Sequence, residues 1–208
     1  MKTILCYGDS NTWGYDARSA TRLPLDVRWP GVLRNALGPD YWVIEEGLNG
    51  RTTVWDDPIS GEWKNGLRLL LPLLQTHAPL DLVVMLLGTN DLKQRFSVPA
   101  SDIAKGLERL IQVVQTSDCG PQNRAPQLLL IAPPPVTIMN EYAEMFTGSL
   151  EKSQKLGFYT RQTAELFNTP FLDAGSIIQS WDVDGIHLAP EMHQILGQRV
   201  AEIIQQED

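Results

Sequence analysis

Residues 80–91 read Leu-Asp-Leu-Val-Val-Met-Leu-Leu-Gly-Thr-Asn-Asp, an apolar run that ends abruptly in small and polar residues. The run is nearly continuous rather than alternating, which is typical of a strand buried on both faces of a parallel sheet. A second continuous run occupies Gln127–Ala132, and shorter runs occupy Thr3–Tyr7, Trp42–Glu45 and Phe171–Leu172. These five runs predict five strands of one sheet.

Helical patterns fill the intervals between these runs. Apolar residues recur at helical spacing after Pro30, after Ser101, around Leu156 and after Pro190. This alternation of strands and helices predicts a parallel sheet with helices on both faces. Right-handed crossovers then bring the carboxyl ends of the strands to one edge, where such sheets bind their ligands. We therefore expect the functional residues at this edge.

Length, charge and composition exclude several classes of function. The 17 basic and 25 acidic side chains among 208 residues give a net charge of −8, which disfavours nucleic acid as a partner. The length fits one domain over residues 1–208. No apolar stretch approaches the roughly 20 residues that span a membrane, and the N-terminal one is too short for a signal peptide. Cys6 and Cys119 are expected to be free thiols in a cytoplasmic protein.

Gly8-Asp9-Ser10-Asn11 follows the first predicted strand directly, so the functional edge carries a serine. Helix N–H groups at this position would stabilise negative charge that develops on a substrate, which suits a nucleophile. Alternatively, Ser10 is only the N-cap of the following helix. The segment is not the G-x-S-x-G motif of lipases, because Thr12 stands where that motif has its second glycine.

A nucleophilic serine needs a base, and the chain contains three histidines. His187 ends the segment Asp184-Gly185-Ile186-His187, in which the carboxylate can fix the tautomer of the imidazole. His77 follows a leucine-rich helix and is expected to bond to its last carbonyls. His193 is expected on the solvent face of the last helix. The second and third histidines are therefore predicted to be dispensable for catalysis.

Two further loops at the predicted edge offer hydrogen-bond donors for an oxyanion. Asn90, in Gly88-Thr89-Asn90-Asp91, offers its side-chain amide. Gly50 follows the second strand and would let the backbone approach a ligand closely. Asparagine and glycine are also ordinary turn residues, so neither donor is specific on its own.

Taken in order, these four blocks resemble the SGNH (GDSL-type) hydrolases over nearly the whole chain. Gly8-Asp9-Ser10 is similar to the nucleophile block of that family and Gly50 to its glycine block. Gly88-x-Asn90-Asp91 is similar to the asparagine block, and Asp184-x-x-His187 to the final block. Asn11 departs from the family pattern, which has leucine there, and this change bears on local substrate contacts rather than on catalysis.

Finer matches resemble one branch of the family, the bacterial arylesterase/acyltransferase group. The matching segments are Asp26–Trp29, Glu45–Leu48, Leu87–Asp91 and Val183–His187. The resemblance implies a flavodoxin-like three-layer α/β/α sandwich with a five-stranded parallel sheet, and it implies no cofactor and no metal.

The same resemblance implies a triad of Ser10, His187 and Asp184 that acts on short-chain aryl or alkyl esters through an acyl-enzyme. The tetrahedral oxyanion would be held by the N–H groups of Ser10 and Gly50 and by the Asn90 amide. Water would hydrolyse the acyl-enzyme, or an alcohol would accept the acyl group.

Aromatic and apolar loop residues are candidates for a pocket and for an interface. Trp13 and Trp181 are close in sequence to the serine and the histidine and could line the pocket, although large aromatics also fill cores. The loop at 56–66, together with Leu23–Pro24 and residues 138–146, could wall the site or serve self-association into a homo-oligomer.

Three other functions remain open at this point. A carbohydrate O-deacetylase would share the fold and the serine chemistry. A flavin- or nucleotide-binding module would use Gly8–Thr12 as a phosphate loop, but it would leave His187 without a role, and G-x-G-x-x-G and the P-loop lysine are missing. A metal hydrolase would need a histidine-rich ligand set, and the chain offers none at usable spacing.

Overall fold

The computed structural model describes residues 1–137 and 141–207. The strands are β1 (Lys2–Gly8), β2 (Tyr15–Asp16), β3 (Thr21–Arg22), β4 (Tyr41–Gly47), β5 (Leu82–Leu86), β6 (Gln127–Ala132) and β7 (Phe171–Asp173). The α-helices are α1 (Ser10–Trp13), α2 (Trp29–Leu37), α3 (Gly66–His77), α4 (Ala100–Gln115), α5 (Ser149–Leu166) and α6 (Pro190–Glu207).

Five of the strands form one parallel sheet in the order β4-β1-β5-β6-β7. This is the strand order of flavodoxin-like folds, in which the chain reverses direction across the sheet next to β1. The remaining strands, β2 and β3, pair as a small antiparallel hairpin. The predicted five-stranded parallel α/β fold is confirmed.

Side chains of the sheet alternate between two buried apolar layers. In β1, Ile4 and Cys6 pack on the side of α2 and α6, whereas Leu5 and Tyr7 pack on the side of α3 and α4. The residues of β5, Leu82–Leu86, alternate in the same way. Because both faces are covered by helices, consecutive residues of a central strand are all buried, which explains the continuous apolar runs.

A third apolar cluster lies at the carboxyl edge of the sheet and joins loops that follow different strands. Its buried members are Leu92, Val98, Ala100, Ile103, Val136, Phe146, Leu156 and Ile186. The cluster packs the loop after β5 against the loop before α6, and so it holds two of the predicted functional loops together. Residues 138–140 of the predicted loop 138–146 lie outside the described residues.

The structure also bears on the expectations about membrane spans and about the two cysteines. Among residues 1–137 and 141–207, no helix has the length and apolar character that crossing a bilayer requires. Cys6 and Cys119 are both buried and unpaired, as predicted.

Candidate active site

Ser10, Asp184 and His187 meet at the carboxyl edge of the sheet. The Nε2 atom of His187 lies 2.9 Å from Ser10 Oγ, and its Nδ1 atom lies 2.5 Å from Asp184 Oδ2. The other carboxylate oxygen, Asp184 Oδ1, accepts hydrogen bonds at 3.0 Å from the backbone N–H groups of Ile186 and His187. The carboxylate therefore holds both the imidazole and the turn that carries it.

The charge state of Asp184 follows from these contacts. Burial alone would raise the pKa of this carboxyl, but the hydrogen bonds from the His187 ring and from two backbone N–H groups outweigh burial and hold the pKa below its usual range. Asp184 is therefore ionised at neutral pH and can stabilise a positive charge on the imidazole.

Ser10 is the first residue of the one-turn helix α1. The N-cap of this helix is Asp9, whose Oδ1 accepts from the N–H of Asn11 at 2.9 Å, so the alternative in which Ser10 is the N-cap is wrong. Gly14 ends the helix in the left-handed region at φ +85°. Because the Asp9 carboxyl occupies the helix N-terminus, this loop is poorly suited to bind a phosphate.

The two predicted donor residues lie in loops next to Ser10. Gly50 has a positive φ of +81°, and within the described residues its N–H has no hydrogen-bond acceptor. Asn90 is buried, and its Nδ2 donates to the carbonyl of Arg51 at 3.1 Å and makes a longer contact of 3.4 Å with Asp9 Oδ2. One N–H of the Asn90 amide is thus firmly bonded, and the other is held only weakly.

Arg51 connects these loops, a role that the sequence analysis missed. Its side chain is almost fully buried, and Nη1 donates to the carbonyl of Gly8 at 2.8 Å and to that of Glu46. The guanidinium also lies 4.1 Å from the centroid of the Tyr7 ring. Because the Arg51 carbonyl accepts from Asn90, this one residue joins the ends of β1 and β4 to the loop after β5.

Two buried carboxyls lie behind the nucleophile. Burial raises the pKa of Asp9 to about 6, against the opposing effects of the Asn11 N–H and of the charge on His187. Burial also raises the pKa of Asp91 to about 7, although Asp91 accepts hydrogen bonds from the N–H and the hydroxyl of Thr53. Both carboxyls therefore change protonation close to neutral pH.

An aromatic ring packs against the imidazole of His187. The ring of Tyr15 lies 4.4 Å from that of His187, measured between centroids, and the ring of Trp13 lies 6.5 Å from that of Tyr15. The N–H of Trp181 donates to the carbonyl of His187 at 2.7 Å. Trp181 thus contacts the histidine through its backbone and Trp13 lies one ring further away, whereas the ring that contacts the histidine belongs to Tyr15, which the sequence analysis did not single out.

The predicted positions of the other two histidines need correction. His193 does not lie on a solvent face: it is fully buried, and its Nδ1 accepts from the N–H of Trp29 at 3.2 Å. Burial, helped by the charges of His187 and Arg28, lowers the pKa of His193 to about 3. The reason is that α6 packs against α2 along the face that carries His193. His77 is the last residue of α3, and the hydrogen bond that its ring makes there is to the Glu46 carboxylate, from Nε2 at 2.9 Å, instead of to the predicted helix carbonyls.

Asn11 and two of the segments that match the arylesterase branch connect separate elements of the fold. Asn11 is buried and donates to the carbonyl of Ile186 at 3.3 Å, which connects the serine loop to the histidine loop. Arg28 and Glu45, one from each of two matching segments, form a largely buried ion pair between the start of α2 and the end of β4. These residues hold the loops that carry Ser10 and His187 and do not themselves belong to the predicted triad.

No metal site accompanies this arrangement in the part of the chain that the structure describes: no group of three or more His, Cys, Asp or Glu side chains is arranged to hold a metal ion there. The residues brought together at the edge are a serine, an imidazole with an ionised carboxylate, and backbone and amide donors. This is a set suited to acyl transfer through a serine nucleophile.

Known proteins share both the sequence pattern and the fold. The model of the GDSL-like lipase/acylhydrolase family matches residues 6–195. An arylesterase from Vibrio mimicus is 29% identical over 203 residues, which cover 96% of this chain and 86% of that protein. A carbohydrate acetylesterase family member from Sinorhizobium meliloti superposes with a TM-score of 0.94 at 42% identity, over 99% of this chain and 98% of that one. The aryl esterase of M. smegmatis superposes with a TM-score of 0.93 at 42% identity, over 99% of both chains.

Proposed function

This chain belongs to the GDSL-like lipase/acylhydrolase family, and we propose that it is a serine esterase that cleaves short-chain aryl or alkyl carboxylic esters. The observation that carries the proposal is the contact of 2.9 Å between His187 Nε2 and Ser10 Oγ, with Asp184 bonded to the other ring nitrogen. A nucleophile and a base within hydrogen-bond distance, with the base oriented by a third group, are the requirements for covalent catalysis by serine.

The proposed reaction proceeds in two steps. Ser10 Oγ attacks the ester carbonyl while His187 takes its proton, and Asp184 stabilises the imidazolium that forms. His187 then gives the proton to the departing alcohol, which leaves an acyl group on Ser10. In the second step His187 activates water, which releases the carboxylic acid. An alcohol in place of water would accept the acyl group and form a new ester.

The oxyanion of each tetrahedral intermediate would bind three donors. The N–H groups of Ser10 and Gly50 are supported as donors because neither has an acceptor among the described residues. Asn90 would supply the third hydrogen bond by exchanging its weak contact of 3.4 Å with Asp9 for the oxyanion, while its bond to the Arg51 carbonyl holds the amide in place. Donors that are already oriented stabilise the transition state without reorganisation.

Carbohydrate O-deacetylation is a second candidate, favoured by the 42% identity to a carbohydrate acetylesterase family member. It uses the same steps and differs only in the alcohol, which would be a sugar hydroxyl. Acetylated oligosaccharides and aryl acetates, assayed side by side with and without an added alcohol, separate the two candidates and measure acyl transfer.

The central test is the reaction of Ser10. We expect wild-type enzyme to hydrolyse p-nitrophenyl acetate and to be labelled by a fluorescent phosphonate, and Ser10→Ala to lose both properties. Ser101→Ala, which removes a hydroxyl from α4, is the matched control and should keep both. Full activity of Ser10→Ala would contradict the proposal.

A further inference from the structure

Two lysines lie next to Gly50, the backbone donor of the proposed oxyanion site. A methyl group built on Gly50 would lie 3.6 Å from Cδ and Cε of Lys64 and 3.9 Å from Nζ of Lys93. The ammonium group of Lys64 is anchored beside this position, because it donates to the carbonyl of Asn49 at 2.6 Å. Two positive charges therefore border the site in a chain whose net charge is −8.

The side chain of Lys93 is largely buried, and within the described residues its ammonium group lacks a hydrogen bond. Lys93 is only 7% exposed, and its nearest ion-pair partner is Asp57 Oδ2 at 3.9 Å, which is beyond hydrogen-bond distance. Asp57 is held mainly by other donors: its Oδ1 accepts from the N–H groups of Ile59 and Ser60 and from Arg95 at 2.9 to 3.0 Å, and its Oδ2 contacts Arg95 at 3.3 Å.

An ammonium group in this position is costly for the fold, because burial of the side chain removes much of its hydration and no protein acceptor within hydrogen-bond distance replaces the water. The other charged groups near Lys93 are Arg95, which opposes its charge, and Asp9 and Asp91, which attract it. The two aspartates are buried carboxyls that themselves resist ionisation, so they compensate the lysine only in part near neutral pH. Lys93, Lys64 and Arg95 are therefore opposed by the ionised Asp57 and by two incompletely ionised aspartates, which leaves a positive charge that a bound anion could neutralise.

We propose that Lys93, together with Lys64, binds an anionic group of the substrate, and that the preferred esters carry a carboxylate a few bonds from the carbonyl that is cleaved. The inference rests on the proposed esterase function, in which the carbonyl oxygen binds at the Gly50 N–H. Because Nζ of Lys93 lies 3.9 Å from the position of a methyl group on Gly50, we expect a short molecule bound at the Gly50 N–H to reach the ammonium group as well. The carboxylate belongs to the acyl part in a half-ester of a dicarboxylic acid, and to the alcohol part in an acetylated sugar acid.

Paired esters that differ in charge test this inference. In the first pair, monoethyl succinate carries a carboxylate on its acyl part and ethyl butyrate is its neutral partner. In the second pair, p-acetoxybenzoate carries a carboxylate on its alcohol part and phenyl acetate is its neutral partner. For at least one pair, we expect Lys93→Met to lower the ratio of kcat/KM for the anionic ester over the neutral ester about tenfold, the equivalent of about 1.4 kcal/mol. Lys93→Arg should recover most of the ratio. Lys105→Met, which removes an exposed positive charge on α4, should leave it unchanged.

Salt dependence gives a measurement on the wild-type protein alone. Raising NaCl from about 20 mM to about 500 mM shortens the Debye length and should raise KM for the anionic ester and not for its neutral partner. This arm of the experiment does not depend on how well any variant folds.

The outcomes separate this inference from the proposed function. If the ratio of kcat/KM for the anionic over the neutral ester is the same in wild type and Lys93→Met for both pairs, and all four esters are hydrolysed, the role of the lysines is overturned and the esterase function stands. Rejection of both anionic esters by a wild-type enzyme that hydrolyses the neutral ones would do the same. Failure of the wild-type enzyme to hydrolyse any of the four esters would instead contradict the proposed function.

Discussion

The serine side and the histidine side of the site are held in place by different means. The serine side consists of the loops after β1, β4 and β5, and buried polar groups join these loops: Asp9 caps α1, Arg51 bonds to two carbonyls, and Asp91 bonds to Thr53. The histidine side is the loop 181–187 with the hairpin β2–β3. There a single carboxylate holds the imidazole, backbone hydrogen bonds close the loop on itself, and the Tyr15 ring packs against the imidazole.

This difference predicts that substitutions on the two sides affect stability and catalysis to different degrees. On the serine side each polar group supports both the fold and the position of a donor, so a substitution there should change the free energy of unfolding as well as kcat. On the histidine side a few hydrogen bonds determine the orientation of the base. Substitutions on that side should therefore have large kinetic effects and small effects on stability. Five substitutions test this contrast, and they are ordered by their expected effect on activity.

The largest effect is expected for His187→Ala, which should lower kcat by about 10⁴-fold or more, because members of a triad act as one unit. The melting temperature should change little. His193→Ala is the matched control: it removes a buried imidazole that accepts from Trp29 and should lower the melting temperature while the folded enzyme keeps its kcat. A greater loss of kcat in His193→Ala than in His187→Ala would contradict the assignment of the base.

Asp184→Asn should lower kcat about 10³ to 10⁴-fold with little loss of stability. Asp184 Oδ1 accepts from two backbone N–H groups, so an asparagine would keep its oxygen there and turn its NH₂ toward His187 Nδ1. The imidazole would then carry its proton on Nε2 and could not accept one from Ser10. Steady-state kinetics and thermal unfolding check both expectations, and a loss of less than tenfold would show that the carboxylate is not needed to orient the ring.

Asn90→Ala, on the serine side, should lower kcat about 10² to 10³-fold and leave KM nearly unchanged, because the lost donor binds charge that exists mainly in the transition state. It should also destabilise the fold by about 1 kcal/mol, since the Arg51 carbonyl loses its donor. Kinetics with denaturant unfolding on the same preparation measure the two effects. A wild-type kcat in Asn90→Ala would show that Asn90 is an ordinary turn residue and not an oxyanion donor.

Gly50→Ala should have a milder effect, below about tenfold in kcat, because the donor is a backbone N–H that alanine retains. The added methyl would meet Lys64 and Lys93 at ordinary contact distances of 3.6 and 3.9 Å, so no clash follows. The left-handed φ of +81° should cost about 1 to 2 kcal/mol of stability. Two esters of different acyl length, assayed in parallel, should show a larger defect for the longer one.

The smallest effect on activity is expected from Asp91→Asn, which tests the pH dependence of stability. The pKa of Asp91 is raised to about 7 in the folded protein, so the folded state binds more protons than the unfolded state between about pH 4 and pH 7. Stability from this group is therefore lost as the pH rises through that window. Melting temperatures at about pH 5 and about pH 8 should differ less in Asp91→Asn than in the wild type. The same difference in melting temperature in Asp91→Asn and wild type would show that Asp91 is not responsible for this pH dependence of stability.

The pKa of His193 predicts the opposite dependence of stability on pH. Its pKa is lowered to about 3, so the unfolded state binds more protons at acid pH, and stability is lost as the pH falls from about 6.5 toward 3. In the variant lacking the Asp91 carboxyl, this acid-side loss should remain.

The sequence predicted the parts of the molecule that depend on local patterns. Strand Gln127–Ala132 has the predicted bounds, because burial on both faces leaves an uninterrupted apolar signal. Ser10 and His187 were placed at one edge because parallel strands bring their carboxyl ends together.

Contacts between distant segments could not be predicted in the same way. The bond from Arg51 to Gly8 spans 43 positions, and nothing local to Arg51 indicates that its guanidinium is buried. Tyr15 reaches His187 through a hairpin of two-residue strands, too short for a periodic signal. The burial of His193 did have a signal, because Leu196 and Val200 follow it at helical spacing on the apolar face of α6.

Arg51 also bears on how this site can change over evolutionary time. Its hydrogen bonds end on the carbonyls of Gly8 and Glu46, and the bond that holds Asn90 ends on its own carbonyl. Carbonyl groups are present at every position whatever the side chain, so mutations at Glu46 and at neighbouring loop positions leave these anchors intact. Substrate preference can therefore drift through side-chain replacement around the pocket while the proposed oxyanion donors stay where they are.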